Sequence, residues 1–205
     1  LYHALIHPNV LSDVNGEYPA MESAEIRTAE GNRYTVFSLW DTYRNLHQLL
    51  TLVYPDRQLE MVRSMVGMYR EWGWLPKWEL YGRETFTMEG DPSIPVIVDT
   101  WMKGLRDFDM DAAYEAMRKS ATTPGARNRM RPDIDPYIEK GYVPLGFYAR
   151  DLSGDNSVSH ALEDYIADHA LSLLADSLGK KDDAALFRAR SLGYKNYYST
   201  ESGTF

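Results

Sequence analysis

The chain has 205 residues, enough for one domain with its own core or for most of a larger one. Its formal net charge of −8 argues against nucleic acid or an anionic membrane as main partner, since both need clustered Lys and Arg. Apolar runs are short and broken by charges, which excludes a bilayer-spanning helix, and the lack of cysteine excludes disulfides and thiolate metal ligands.

The first stretch, to about Arg33, is rich in Asn, Asp, Gly and Pro, and reads as loop with room for a short hairpin. Helical periodicity then begins. Leu39, Tyr43, Leu46, Leu50 and Val53 recur at helix spacing behind Ser38 as N-cap. Pro55-Asp56 breaks that helix and opens the next, along Leu59, Val62, Val66 and Tyr69. An aromatic loop follows, with Trp72, Trp74 and Trp78 inside seven residues and Gly73 and Pro76 restricting the backbone. A third helix starts at Asp91-Pro92 and carries Ile94, Val98, Trp101 and Leu105 on one side; a fourth runs from about Met110 to Ala121. Thr122 to Asn156 is rich in Pro and Gly and leaves room for one short helix. A fifth helix spans Ser157 to about Leu178, stopped by Gly179, and a sixth spans about Lys181 to Leu192.

The elements pair as three helical hairpins, long entry loops alternating with short returns. The expected fold class is all-α, with hairpins forming part of an (α/α)6 barrel and long loops at its mouth. Six hairpins close such a barrel and three do not. The chain also begins abruptly at Leu1 and ends on a turn-like Ser202-Gly203, so both ends read as cuts through something larger.

Polar and aromatic residues gather where the first helix of each hairpin starts: Trp40, Asp41 and Arg44; Glu89, Gly90 and Asp91; Asp155, Asn156 and Ser157. Helix N-termini carry partial positive charge and unpaired N–H groups, so carboxylates there stay ionised and can accept from sugar hydroxyls. Each residue also has a plainer reading. Asp91 before Pro92 fits an N-cap, and Asp41 with Arg44 fits a surface ion pair. The aromatic loop is the strongest single feature, because sugar rings offer apolar C–H faces to aromatics and polar edges to carboxylates. Glu79 beside Trp78 fits a carboxyl of raised pKa and hence a candidate general acid; the alternative is an aromatic plug with Glu79 in solvent. Glu163, Asp164, Asp168 and His169 read as a solvated helix face, since no metal-ligand spacing or nucleophile elbow occurs.

Several strings together carry a resemblance. Phe37-Ser38-Leu39-Trp40-Asp41-Thr42, Gly73-Trp74-Leu75-Pro76-Lys77-Trp78, Met88-Glu89-Gly90-Asp91, Gly141-Tyr142-Val143-Pro144, Ser157-Val158-Ser159 with Leu162-Glu163, Pro8-Asn9-Val10 with Ser12-Asp13-Val14, and Tyr194-Lys195-Asn196 resemble the glycoside hydrolase family 92 exo-α-mannosidases. The matches run in order over essentially the whole chain. The resemblance implies that residues 1–205 form part of a single (α/α)6 catalytic domain, with an N-terminal β-sandwich and a C-terminal catalytic part outside them. It implies calcium-dependent hydrolysis of terminal α-mannosides, α-1,2-linked among them, with inversion, in a periplasmic or secreted enzyme. The expected partners are mannose-containing glycans and the remainder of the same enzyme.

The family's Glu-Gly-Asn acid string and Gly-Asn-Asp-Asp base string do not occur, and both are expected beyond Phe205; the calcium ligands are likewise expected outside this chain. What carries over is a sugar-facing set: Trp40, Asp41, Arg44, Trp78 and Asp91, with Glu79 secondary. Ala167 stands where the family often has Asp, which puts a role for Asp168 in doubt. Two other readings stay open: a different (α/α)6 glycosidase with Glu79 as acid and Asp41 or Asp91 as base, and a non-catalytic helical toroid that binds glycans.

Overall fold

The computed structural model describes residues 2–148 and 155–204, so Leu1, Phe205 and residues 149–154 of the Pro- and Gly-rich stretch lie outside the described residues. Five of the expected six helices are present with differences at their ends, and the first is broken in two. α1 (Leu39–Thr42) and α2 (Leu46–Val53) replace a single predicted helix, α3 is Pro55–Trp72, and α4 is Ser93–Met102. α5 is Met110–Thr122, α6 (Ile134–Lys140) is the one short helix of the loop-rich stretch, α7 is Ser157–Ser177 and α8 is Lys181–Ser191.

The all-α expectation needs a correction. Seven short strands form three small antiparallel sheets among the described residues: β1 (Asn9–Val10) with β4 (Tyr34–Thr35), β2 (Glu17–Pro19) with β3 (Ile26–Thr28), and β5 (Phe37–Ser38), β6 (Trp78–Leu80) and β7 (Arg83–Glu84) in that order. Strands this short show no period-two signal; β2–β3 is a hairpin within the first, loop-rich stretch and β6–β7 a second one, while β1–β4 and β5–β6 are decided by pairing to distant segments. Ser38 stands at the N-cap position of α1 as expected, but it also sits in β5 opposite Trp78 and makes no side-chain cap bond.

The helices behave as their local chemistry dictates. α3 opens on Pro55 and stops at Gly73, whose φ of 93° needs a residue without Cβ. Asp109 caps α5 by accepting from the Ala112 N–H at 3.0 Å. Asp91 is not a side-chain cap; its backbone oxygen accepts from Ile94 while its carboxylate points inward.

α4 is buried nearly all round, through Ser93, Ile94, Val96, Ile97, Val98 and Thr100, because it lies between neighbours rather than on the outside. The first helices of the three hairpins touch in series, α2 with α4 and α4 with α7, while the second helices α3 and α5 touch each other. α7 and α8 form the most extensive helix pair. The main core runs through Phe37, Leu39, Leu50, Met61, Met65, Ile94, Ile97, Met117, Leu171 and Phe187. A smaller core of Ile134, Tyr137, Val143, Ala161 and Tyr165 seals α6 against α7.

Candidate functional site

The start of α1 is positioned by carboxylates that serve the backbone. Glu79 is wholly buried, and its oxygens accept from Thr35 Oγ1 at 2.8 Å, from the Gly82 N–H at 2.6 Å and from the Val36 N–H at 3.1 Å. Val36 has a φ of 62°, a strained value for a β-branched residue, and the Glu79 carboxylate holds that corner between β4 and β5. Burial raises the Glu79 pKa, opposed by the Gly82 and Thr35 bonds. The shift expected from the sequence is therefore present, but its cause is enclosure in a backbone corner, and solvent does not reach the group. Glu84 plays a matching part, accepting from the Lys77, Trp78 and Phe86 N–H groups at 2.8, 3.0 and 2.8 Å. Trp78 is half-buried beside Ser38, and its indole N–H is buried without a hydrogen-bond partner among the described residues.

With that corner in place, α1 presents its side chains to two sides. Trp40 and Arg44 face α7. The Arg44 guanidinium lies over Trp40, 4.6 Å from the ring centroid, and over Tyr43 at 4.9 Å; its Nε donates to the Trp40 carbonyl at 3.0 Å. Arg44 Nη2 and Tyr43 Oη both donate to Glu163, at 2.5 Å to Oε1 and 2.5 Å to Oε2. The anticipated Asp41–Arg44 ion pair does not form, because Glu163 takes the cation. This partition breaks the predicted long helix: with Tyr43 and Arg44 tied to α7, the chain turns at Asn45 before α2 begins. Asp41 is exposed on the other side, lining a cleft of about 660 Å³ with His3, His7, Thr42, Asn45 and Leu46, and no described residue bonds to its carboxylate.

The start of α4 reaches the same rim. The Gly90 backbone abuts Glu163, such that a Cβ on Gly90 would lie 2.4 Å from Glu163 Cβ, and Asn156 donates to Glu89 at 2.9 Å. The three helix starts marked by the sequence are thus joined in space through Arg44, Glu163, Gly90 and the Glu89–Asn156 bond.

Asp91 and Asp168 belong to a different feature, a charge network under the rim. Arg131, with no exposed surface, donates to Asp91 Oδ2 at 3.2 Å and to Asp168 Oδ1 at 2.8 Å, and its Nε lies 3.6 Å from Asp164. Asp91 also accepts from Ser120, while Tyr137 donates to Asp168 at 2.8 Å and Arg190 Nε lies 2.8 Å from it. Burial raises the Asp164 pKa, opposed by Arg131. Asp91 and Asp168 each face a guanidinium, Asp91 that of Arg131 and Asp168 those of Arg131 and Arg190. This overturns the solvated-face expectation for Asp164 and Asp168. The missed signal was positional: both lie on the α7 face that also carries Ala161, Leu171 and Ala175. Their partner Arg131, in a loop over thirty residues earlier, was beyond local reading.

The calcium implied by the resemblance finds no fit in these residues. A calcium site takes six to eight oxygen ligands, whereas the clustered carboxylates here are occupied by Arg131, Arg190 and hydroxyl donors. Among the described residues no group of three or more His, Asp or Glu could hold a metal ion.

The chain belongs to glycosyl hydrolase family 92: the profile of that family's catalytic domain matches residues 1–205. It is similar to a family GH92 α-mannosidase from Bacteroides thetaiotaomicron solved with mannoimidazole, at 35% identity and a TM-score of 0.86 over 98% of this chain. It is also similar to the family GH92 inverting mannosidase of the same organism, at 30% identity and a TM-score of 0.85 over 98% of the chain. A curated relative, an uncharacterized secreted glycosidase of Arthroderma benhamiae, is 27% identical over 146 residues, 69% of this chain. The chain spans 25% and 27% of the two solved chains and 19% of the fungal protein.

Proposed function

We propose that this chain forms one wall of the sugar pocket of a secreted or periplasmic, calcium-dependent exo-α-mannosidase that cleaves terminal α-mannosides, α-1,2-linked ones included, with inversion. The observation that carries the reading is Asp41: an exposed carboxylate at a helix start, unbonded, lining a cleft of about 660 Å³, with the Trp40–Arg44 stack on the other side of the same short helix. Family membership and the two mannosidase structures support it. Asp41 accepts from mannose hydroxyls, Arg44 donates to them, and Trp40 and Trp78 offer apolar surface to a ring face. The remaining buried carboxylates serve the fold, so these residues bind and orient the sugar, and the proton-transferring pair is assigned to other parts of the enzyme. An inverting pair sits on opposite faces of the sugar with room for a water between, a geometry that one wall alone does not provide. Helical barrel closure and a preceding β-sandwich are part of the same proposal. Secretion is supported by the description of the fungal relative, and no helix among the described residues is long and apolar enough to cross a membrane.

The test is Asp41→Ala in the complete protein. Loss of a charge-assisted hydrogen bond to substrate lowers kcat/KM on a simple α-mannoside by about 10- to 100-fold. Unchanged hydrolysis overturns the assignment of this wall, and faster turnover of gluco-configured substrates supports the competing (α/α)6 glycosidase. The chain by itself releases no mannose; calcium-dependent release by it alone overturns the division of labour, and glycan binding without hydrolysis by the complete protein supports the non-catalytic toroid.

A further inference from the structure

We propose that Glu163 is a positioning residue of the sugar pocket: from α7 it holds Arg44 flat against Trp40 and so presets the donors that meet the sugar. The inference rests on reading the α1 start as sugar-facing. Both carboxylate oxygens of Glu163 are committed, Oε1 to Arg44 and Oε2 to Tyr43, each at 2.5 Å. The Glu163 side chain is 12% exposed and that of Arg44 43%, so the anchor is sheltered while the anchored group reaches solvent. Arg44 spends one N–H on the Trp40 carbonyl and one on Glu163, and a guanidinium has five. Three donors remain on an edge that the stack over Trp40 and Tyr43 keeps in one plane.

Glu163 is itself held. The Gly90 backbone, at φ 73°, packs so closely on it that a Cβ there would stand 2.4 Å from Glu163 Cβ. The carboxylate therefore has few rotamers to choose from, and Arg44 inherits that restriction. A half-exposed ion pair adds little to stability, so the pairing matters mainly through the conformational freedom it removes from Arg44 before sugar arrives.

In the complete enzyme, Glu163→Gln keeps the size and the Tyr43 contact but drops the charge that fixes Arg44. The expected result is a KM for a small terminal α-mannoside raised about 10-fold, with kcat within about 3-fold and the thermal midpoint little changed. The double variant Glu163→Gln with Arg44→Met should bind no worse than Arg44→Met alone, because the two residues act as one unit. Tyr43→Phe, which removes the other bond to Glu163, should shift KM in the same direction by a smaller factor, and it serves if Glu163→Gln fails to fold. An unchanged KM, multiplicative effects in the double variant, or a fall in kcat with KM unchanged would each overturn the proposal. Asp41→Ala separates the two levels: if it is silent, the site reading fails; if it impairs binding while Glu163→Gln does not, only the positioning role fails.

Discussion

Arg131 and Asp168 are joined at 2.8 Å with neither side chain exposed, and the same guanidinium reaches Asp91 at the α4 start. One cation from a loop thus ties α4 to α7 directly beneath the rim that Glu163 organises. Such a pair is a weak source of net stability but a costly one to break, because an unpaired charge would remain inside.

Arg131→Met should therefore destabilise the protein by about 3–5 kcal/mol, since Asp91 and Asp168 lose their shared cation. Arg131→Lys should fall between, as an ammonium cannot span two carboxylates in the same way. Urea unfolding of the complete protein measures this; a loss under about 1 kcal/mol would show that the network is not coupled to folding.

Glu79→Gln should cost about 1–3 kcal/mol by placing an amide N–H against backbone donors, while kcat on α-mannosides stays unchanged. The pH dependence has a definite sign. The folded-state pKa of Glu79 is raised above the ordinary 4.5, first by burial, so the folded chain holds this proton to higher pH than the unfolded chain does. Its contribution is most favourable in acid and is lost as pH rises from 4.5 through the folded value. The stability gap between wild type and Glu79→Gln should shrink over that interval; a gap that widens refutes the assignment.

Two histidines should make the protein acid-sensitive. Burial lowers His160 to about 3, aided by Lys77, and burial lowers His47 to about 4 against the Gln58 bond. Below the ordinary value of 6.5 the unfolded chain takes up both protons and the folded chain does not, so stability falls as pH drops from 6.5 toward 4. The slope attributable to the pair approaches about 2.7 kcal/mol per pH unit, two protons' worth. His160→Phe, which can still stack on Tyr148 as the imidazole does at 4.1 Å, should remove about one proton from it. An unaltered slope would contradict this account.

Gly90→Ala tests the rim from the other side. The new Cβ would meet Glu163 and hold a φ of 73° that L residues rarely adopt, for a cost of about 1–3 kcal/mol. If Glu163 is pushed off Arg44, KM for a terminal mannoside should rise as well. Loss of stability with no change in KM would show that the Gly90 contact is structural alone.

The sequence alone marked most of the helices, because their signals are local: Pro55 opens α3, apolar spacing marks α3 and α4, and Gly179 follows the end of α7, whereas the one helix expected over residues 39–53 is two. It also marked the three helix starts and, through ordered short strings, the family. Only the tertiary structure decided what the marked carboxylates do. Asp41 stays open, Asp91 turns in to Arg131, Glu79 closes a strained backbone corner, and Glu163, which looked like solvated surface, holds Arg44. The reason is physical. A carboxylate's role depends on which donor or cation reaches it, and here those partners come from segments up to 120 residues away, where no local spacing can register them.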